Sequence, residues 1–273
     1  MFHMEENMAG TRPNDTIAML RARILRMERQ SGASLHETGR LSCGCPEIDI
    51  HLSGGLEQGT THEILGRGVD TALGCYATRW IAFILSHTTG TVAWVHTAPL
   101  DLHAAGLAQA GLQPDRLICL HTTPGNVLGL TEDLLRETGL VAVVTDLDRP
   151  MTLTASRRLR LAAEGTGQTA FLLRRAARSN DPALLQPSAC TTRWRIGPMP
   201  WPDGQDCLAF HPGRPRMRVE LLRHKGGRAG EWIVETEHAP HHLSVVSPLA
   251  DRPVASTWFP RSSSIPPAGH AQP

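Results

Sequence analysis

Five short runs of β-branched or apolar residues, at about Thr61–Leu65, Thr91–His96, Arg116–His121, Leu140–Asp146 and Thr169–Arg174, show little of the in-and-out alternation of a half-exposed strand. Between them lie segments with apolar residues at spacings of three and four, at about Thr71–His87, Leu100–Ala110, Val127–Glu137 and Leu153–Glu164. Strands apolar on both faces, alternating with helices of this length, predict an α/β fold with a mainly parallel central sheet flanked by helices. Right-handed crossovers follow for such connections.

The pattern changes after Arg178. Residues Ser179–Ala189 are largely polar and contain Pro182 and Pro187, and three further strands are expected at Cys190–Ile196, Met217–Arg223 and Glu231–Glu235. The last two meet through Lys225-Gly226-Gly227, a hairpin signal. The expectation is an antiparallel C-terminal extension of the sheet beginning at about residue 190. Upstream, Ile17, Leu20, Ile24 and Met27 recur on one helical face with arginines on the others, predicting an amphipathic helix over 14–31 after a disordered 1–13. A Gly-punctuated lead-in then opens a core spanning 32–246. Residues 247–273 are rich in Pro and Ser and are expected to be disordered.

Composition sharpens this in one respect. Of 27 basic residues only Lys225 is a lysine; the other 26 are arginine, against 26 Asp and Glu. Lysine chemistry is therefore nearly excluded. A coding bias accounts for an arginine excess but says nothing about which positions lack lysine. The six cysteines, Cys43, Cys45, Cys75, Cys119, Cys190 and Cys207, contain no C-x-x-C pair and read as reduced and mostly buried. The longest apolar segment, Trp80–Leu85, is too short to span a bilayer, so the chain reads as cytoplasmic with no membrane partner. Cys43, Cys45 and His51 fit no closed zinc pattern, and no metal is expected.

In an α/β domain the first strand-to-helix turn is where an anionic ligand would meet backbone N–H groups. Here it reads Gly66-Arg67-Gly68-Val69-Asp70-Thr71-Ala72-Leu73-Gly74-Cys75. A phosphate-binding loop needs G-x-x-x-x-G-K-[ST]. Anchored on Gly66, the lysine position holds Ala72 and the hydroxyl position Leu73; anchored on Gly74, they hold Cys75 and Tyr76. A carboxylate at Asp70 would oppose a phosphate by up to roughly 4 kcal/mol at an effective dielectric near 20. Asp146 ends an apolar strand, where it or Asp148 would stand as a magnesium-side carboxylate. Gly66, Gly68, Asp70, Thr71, Ala72, Leu73, Gly74 and Asp146 thus form a vestigial nucleotide-binding site with no catalytic residue. No cofactor is expected, ATP included. His96, at another strand end, reads as structural.

Residues 149–178 carry seven arginines against the single acid Glu164. Arg157, Arg158, Arg160, Arg174, Arg175 and Arg178 are candidate DNA- or partner-binding residues, with a solvated arginine face as the competing reading. No aromatic lies between Arg174 and Ala189 to stack a base. Trp194 and Trp201 are expected to pack on the late strands. His238, His241 and His242 read as solvated, and Trp258-Phe259-Pro260 as a docking peptide or a segment folded back on the domain.

The order of the Gly55-Leu56-Glu57-Gln58-Gly59 lead-in, the strand His62-Glu63-Ile64-Leu65, the loop at Gly66 and the acid-ending strand at Asp146 resembles the RecA core. Ser156-Arg157-Arg158-Leu159-Arg160-Leu161-Ala162-Ala163, Thr192-Arg193-Trp194-Arg195, and Val219-Glu220-Leu221-Leu222-Arg223 followed by Gly226-Gly227-Arg228 resemble motifs of the ImuA family, RecA-like proteins of the inducible-mutagenesis cassette. The resemblance covers about residues 14–237. It implies a non-catalytic accessory role in damage-induced (SOS) translesion synthesis, with three partners: an inactive Y-family polymerase relative (ImuB), an error-prone replicative-type DNA polymerase, and RecA, on single-stranded DNA. Measured against RecA, the lysine position holds Ala72, the water-activating glutamate falls near Ala98, and the nucleotide-sensing glutamine falls at Arg174. A divergent ATPase, in which Arg67 and Asp146 replace the missing groups, and a SulA-like division inhibitor are the alternative readings.

Overall fold

The computed structural model describes residues 39–67, 75–98, 102–149, 151–175, 186–199, 216–236 and 243–248. The expected N-terminal helix over 14–31, Trp201, the histidines 238, 241 and 242 and the Trp258-Phe259-Pro260 segment lie outside the described residues. In chain order the strands are β1 (Arg40–Leu41), β2 (Leu56–Glu57), β3 (Thr61–Gly66), β4 (Thr91–His96), β5 (Leu117–His121), β6 (Leu140–Leu147), β7 (Thr169–Arg174), β8 (Thr192–Pro198), β9 (Arg216–His224), β10 (Gly230–Thr236) and β11 (Leu243–Pro248). The helices are α1 (Pro46–His51), α2 (Cys75–Ser86), α3 (Ala104–Gln109), α4 (Val127–Leu134) and α5 (Leu153–Thr166).

β3 to β11 form one nine-stranded sheet in the order β11-β10-β9-β8-β3-β7-β6-β4-β5. The six strands from β8 to β5 are mutually parallel, and β9, β10 and β11 continue the sheet antiparallel. The α/β class and the antiparallel end are as the sequence predicts. One boundary is corrected: the strand at about 190 is not the start of the antiparallel part, because β8 runs parallel to β3 and only its other edge pairs antiparallel, with β9. A parallel return needs a crossover of a dozen or more residues, and the stretch from 175 to 191 supplies that length. β11 was not anticipated, and it reaches past residue 246. Among the described residues no helix is long and apolar enough to cross a membrane.

The near-continuous apolar runs follow from burial on both faces. Val144, Phe171 and Leu173 point to a core under α1, α2 and α3, while their neighbours Val143, Ala170 and Leu172 point to a second core under α4 and α5. α2 is buried along Trp80–Leu85, which is why its sequence reads as unbroken apolar. Trp80, Trp94 and Trp194 are the largest fully buried side chains, and Trp194 sits between Trp80 and Trp232 at centroid distances of 5.9 and 6.3 Å. α5 is closed at both ends by sequence-encoded caps: the Thr152 hydroxyl accepts from the Ala155 N–H, and Gly167 takes the left-handed conformation. In the lead-in, Gly55 has φ +110°, and a Cβ there would lie 2.5 Å from the Leu41 carbonyl oxygen, so only glycine lets β1 and β2 close.

Two buried polar groups tie this layer together. His62 on β3 has a tautomer set by its partners. The Trp194 indole N–H donates to Thr192 Oγ1 at 2.8 Å, leaving that hydroxyl to donate to His62 Nδ1, also at 2.8 Å. His62 Nε2–H then donates to the Glu57 carbonyl at 2.9 Å, fixing β2 over the sheet. Beside it Glu63, at 0% exposure, accepts from Arg174 Nη1 (2.9 Å) on β7, Arg193 Nε (2.7 Å) on β8 and the Ser188 hydroxyl (2.6 Å).

Three outcomes are expected. Burial pushes the His62 imidazole down to about 4, whereas in the unfolded chain it protonates near 6.5. The unfolded state therefore binds the extra proton between these values: stability is complete above about pH 6.5 and declines as pH falls toward about 4, by on the order of 3 kcal/mol. Urea midpoints measured across that window should fall less steeply in His62→Gln than in wild type. Glu63→Gln, which keeps the shape and removes the charge, should lose about 3–5 kcal/mol in urea unfolding, because two arginines stay buried without their counter-ion. Glu164→Gln, whose partner Arg160 is 3.5 Å away at the surface, should cost less than about 1 kcal/mol.

Candidate functional site

Ligands of open parallel sheets bind beyond the C-terminal strand ends, where neighbouring connections leave to opposite sides. Here the connection after β4 carries α3 over the α2 side, and the connection after β6 carries α5 over the other side. The crevice therefore opens between the ends of β4 and β6. Val95 pairs with Thr145 in the β4–β6 ladder, so the next residues along, His96 and Asp146, flank it. Sequence spacing had placed Asp146 at a strand end; the topology places that end at the switch point.

The chemistry at Asp146 differs from that of a metal-side carboxylate. Arg175, the residue after β7, donates Nε to Oδ1 and Nη2 to Oδ2, both at 2.7 Å, and each side chain is 13% exposed. This parallel two-bond geometry is the strongest form of an arginine–carboxylate contact. It directs a fixed guanidinium onto the carboxylate from within the chain. His96 is buried, and since a carbonyl only accepts, its Nδ1–H donates to Ala98 at 2.7 Å, closing its own turn. Its ring lies 5.2 Å from that of His121 on β5.

The other members of the expected nucleotide site divide. Gly66 ends β3, with nothing within 4 Å of where a Cβ would sit. Gly68, Asp70, Thr71, Ala72, Leu73 and Gly74 lie outside the described residues. Arg67 turns away from Asp146 and donates to Glu220 on β9 at 3.1 Å, close against Gly197. Glu220 also receives a bidentate pair from Arg195 at 2.7 Å. Burial raises the Glu220 carboxyl, but the Arg195 bonds and the surrounding arginines outweigh it and hold it below its ordinary value. Arg67 thus belongs to the sheet's own ion-pair system.

The arginines read as one DNA- or partner-binding group are not one face. Arg174 is corrected: it is 2% exposed and paired with Glu63. Its place at the end of a strand buried on both sides turns it inward, and a phosphate backbone cannot reach it. Arg175 turns to the opposite face, onto Asp146. Arg178 lies outside the described residues. Arg157 and Arg158 are exposed on α5, and Arg160 on the same helix pairs with Glu164. Arg158 holds the buried Glu132 of α4 at 2.6 Å, and Arg136 holds the same carboxylate from the other side. Sequence reading missed Glu63 and Glu132 as organising groups. The signal at Glu63 was a charge inside a run apolar on both faces, which demands a counter-charge on an adjacent strand.

Among the described residues no group of three His, Cys, Asp or Glu is arranged to hold a metal ion. Cys43 and Cys45 are buried, and burial pushes the first thiol far up and the second to about 12. His51 bonds the Arg228 carbonyl at 3.0 Å and packs edge-on against Trp232. Cys190 is buried as well, whereas Cys75 and Cys119 are exposed, contrary to the expectation for most cysteines at these two positions.

No protein-family model matches the chain. Its sequence is 38% identical over 229 residues to Protein ImuA of Caulobacter vibrioides, from strain NA1000 / CB15N and equally from strain ATCC 19089 / CIP 103742 / CB 15, an alignment that covers 79% of this chain and 92% of that protein. At that identity and coverage, the chain belongs to the ImuA family.

Proposed function

We propose that this chain is a non-catalytic, RecA-like accessory protein of damage-induced mutagenesis. In this reading it works in the cytoplasm within the SOS response and supports translesion DNA synthesis by binding other proteins: an inactive Y-family polymerase relative of the ImuB type, an error-prone replicative-type polymerase, and RecA on single-stranded DNA. Membership of the ImuA family supports the system. The observation that carries the non-catalytic part is the Arg175 fork on Asp146.

A metal-dependent nucleotide site needs that carboxylate to face the cation, and the cation to meet phosphates steadied by a lysine. Arginine is effectively never deprotonated, so its pair with Asp146 persists at every physiological pH. At the lysine position the sequence offers Ala72 or Cys75. Both halves of the ammonium-and-metal arrangement are thus replaced by groups that do not exchange. Binding then falls to the exposed surfaces, among them α5, which presents Arg157 and Arg158.

The expected result is that wild type and Arg175→Ala show no saturable binding of a fluorescent ATP analogue with magnesium, while wild type co-purifies with the ImuB-type partner. Saturable analogue binding by wild type that is lost in Asp146→Ala would instead establish a divergent ATPase. Co-purification with a tubulin-like division protein in place of the polymerase relative would select the division-inhibitor reading.

A further inference from the structure

Between α4 and α5, on the layer away from the Asp146 crevice, lies a trough of about 370 Å³. One wall is a clamp of unlike charges: Glu132, nearly buried, holds Arg136 and Arg158, whose side chains remain 60% and 66% exposed. Each guanidinium uses one nitrogen on Glu132. A guanidinium carries five N–H donors, so both arginines keep donors for a ligand while holding Glu132. The other wall and the floor are apolar or small: Leu161, 63% exposed, with Ala162 and Gly165. Arg157, exposed and making no ion pair among the described residues, stands one helical turn before Leu161 on the same stripe.

Gly165 is the informative residue. It is the next-to-last residue of α5, and the left-handed turn that ends the helix is made by Gly167, not by Gly165. A Cβ there would meet nothing within 4 Å, so packing does not require glycine and the space over it is open. A single exposed leucine is ordinary, but here it borders a trough open over Gly165 and rimmed by two arginines.

We infer that this trough is a docking site for an acidic segment of a partner protein, which places one aliphatic or aromatic side chain over Gly165 and its carboxylates on Arg136, Arg158 and Arg157. The volume is near the lower end of ligand pockets, which start at roughly 300 Å³, and suits a side chain or two rather than a cofactor. Charge selects the partner's sign: of the lining side chains two, Arg136 and Arg158, are cationic and one, Glu132, is anionic, and beyond them on α5 Arg157 makes no ion pair among the described residues while Glu164 is engaged by Arg160. Nucleic acid fits less well, because the lining holds no aromatic to stack a base and sets a leucine and a carboxylate against the backbone. This goes beyond the accessory role proposed above, since it names a surface and the chemistry that it recognises.

The test uses the full chain and fluorescein-labelled 12-residue peptides read by anisotropy: a central leucine flanked by glutamates, the same peptide with alanine at the centre, and the same with lysine flanks. A labelled dT20 strand is titrated in parallel. The glutamate–leucine peptide should bind saturably, and the alanine and lysine peptides at least ~10-fold more weakly, the scale of one well-seated anchor. Gly165→Leu fills the trough without touching the ion pairs; it should weaken the glutamate–leucine peptide at least ~10-fold while circular dichroism and melting temperature stay at or above wild type. Leu161→Ser, at an exposed position, should weaken it in the same direction. Equal binding of acidic and basic peptides, or binding unchanged in Gly165→Leu, overturns the inference. So does dT20 binding lost in Gly165→Leu, which makes the occupant nucleic acid, or a concentration-dependent dimer lost in that variant, which makes it a second copy. The ATP-analogue titration is independent of all these arms.

Discussion

Glu63 is a full negative charge with no solvent contact in the middle of a nine-stranded sheet, and the register of the strands beside it is the condition for its being there. Isolated in a low-dielectric interior it would be intolerable. It is tolerated because Arg193 lies directly opposite on β8, Arg174 sits on the same face of β7, and Ser188 returns on the segment leading into β8. A slip of β8 by one residue would exchange its faces, turning Arg193 toward the tryptophan core and Trp194 toward the charge. The carboxylate therefore fixes which way β8 faces, and β8 is the strand on which β9, β10 and β11 are built.

From that strand outward the same alternation repeats. Trp194, Val219 and Trp232 face the core under α1 and α2, while Arg195 pairs with Glu220, Arg218 with Glu231 and Arg216 with Glu235 on the opposite face. Such a ladder accounts for part of the arginine usage in physical terms. A guanidinium offers a planar fork that matches a carboxylate with two bonds and is more weakly hydrated than an ammonium, so half-buried cross-strand pairs favour arginine. The lone lysine, Lys225, is in the exposed turn between β9 and β10, where no such pairing operates. The compositional bias is thus put to structural use.

The parallel strands were legible because burial on both faces leaves a continuous apolar run, as in Leu140–Asp146. The short α1 was not, since six residues opened by Pro46 carry too little periodicity, and β1–β2 is a two-residue pairing that depends on Gly55. Asp146 was legible as a strand-end acid. Its pairing was not: Arg175 is 29 residues away, and the two meet only because β6 and β7 are neighbours, which is a matter of sheet order. Arg174 was misread for the same reason. Adjacent arginines at a strand end look like one basic cluster in sequence, but strand alternation sends one to Glu63 and the other to Asp146, on opposite faces of the sheet. The trough between α4 and α5 depends on a contact between helices from different crossovers, to which no single segment testifies.

The two ion pairs flanking β7 also bear on where a ligand can act. A ligand that needed the Asp146 carboxylate would have to displace Arg175 and leave it at a site where both groups are largely shielded; removing one partner from such a pair costs about 3–5 kcal/mol. That corresponds to roughly two to four powers of ten in affinity, before the ligand gains anything from the lysine-free loop. A ligand on α4 and α5 meets no such cost, because Glu132 is already satisfied and Arg136 and Arg158 keep donors without giving up their carboxylate. The same chemistry, arginine on a shielded acid, closes one surface of the sheet and presents the other. The difference lies in exposure: 13% for Arg175 against 66% for Arg158. In the proposed reading, recognition therefore falls to the helical layer behind the crevice and not to the crevice where α/β sheets ordinarily bind ligands.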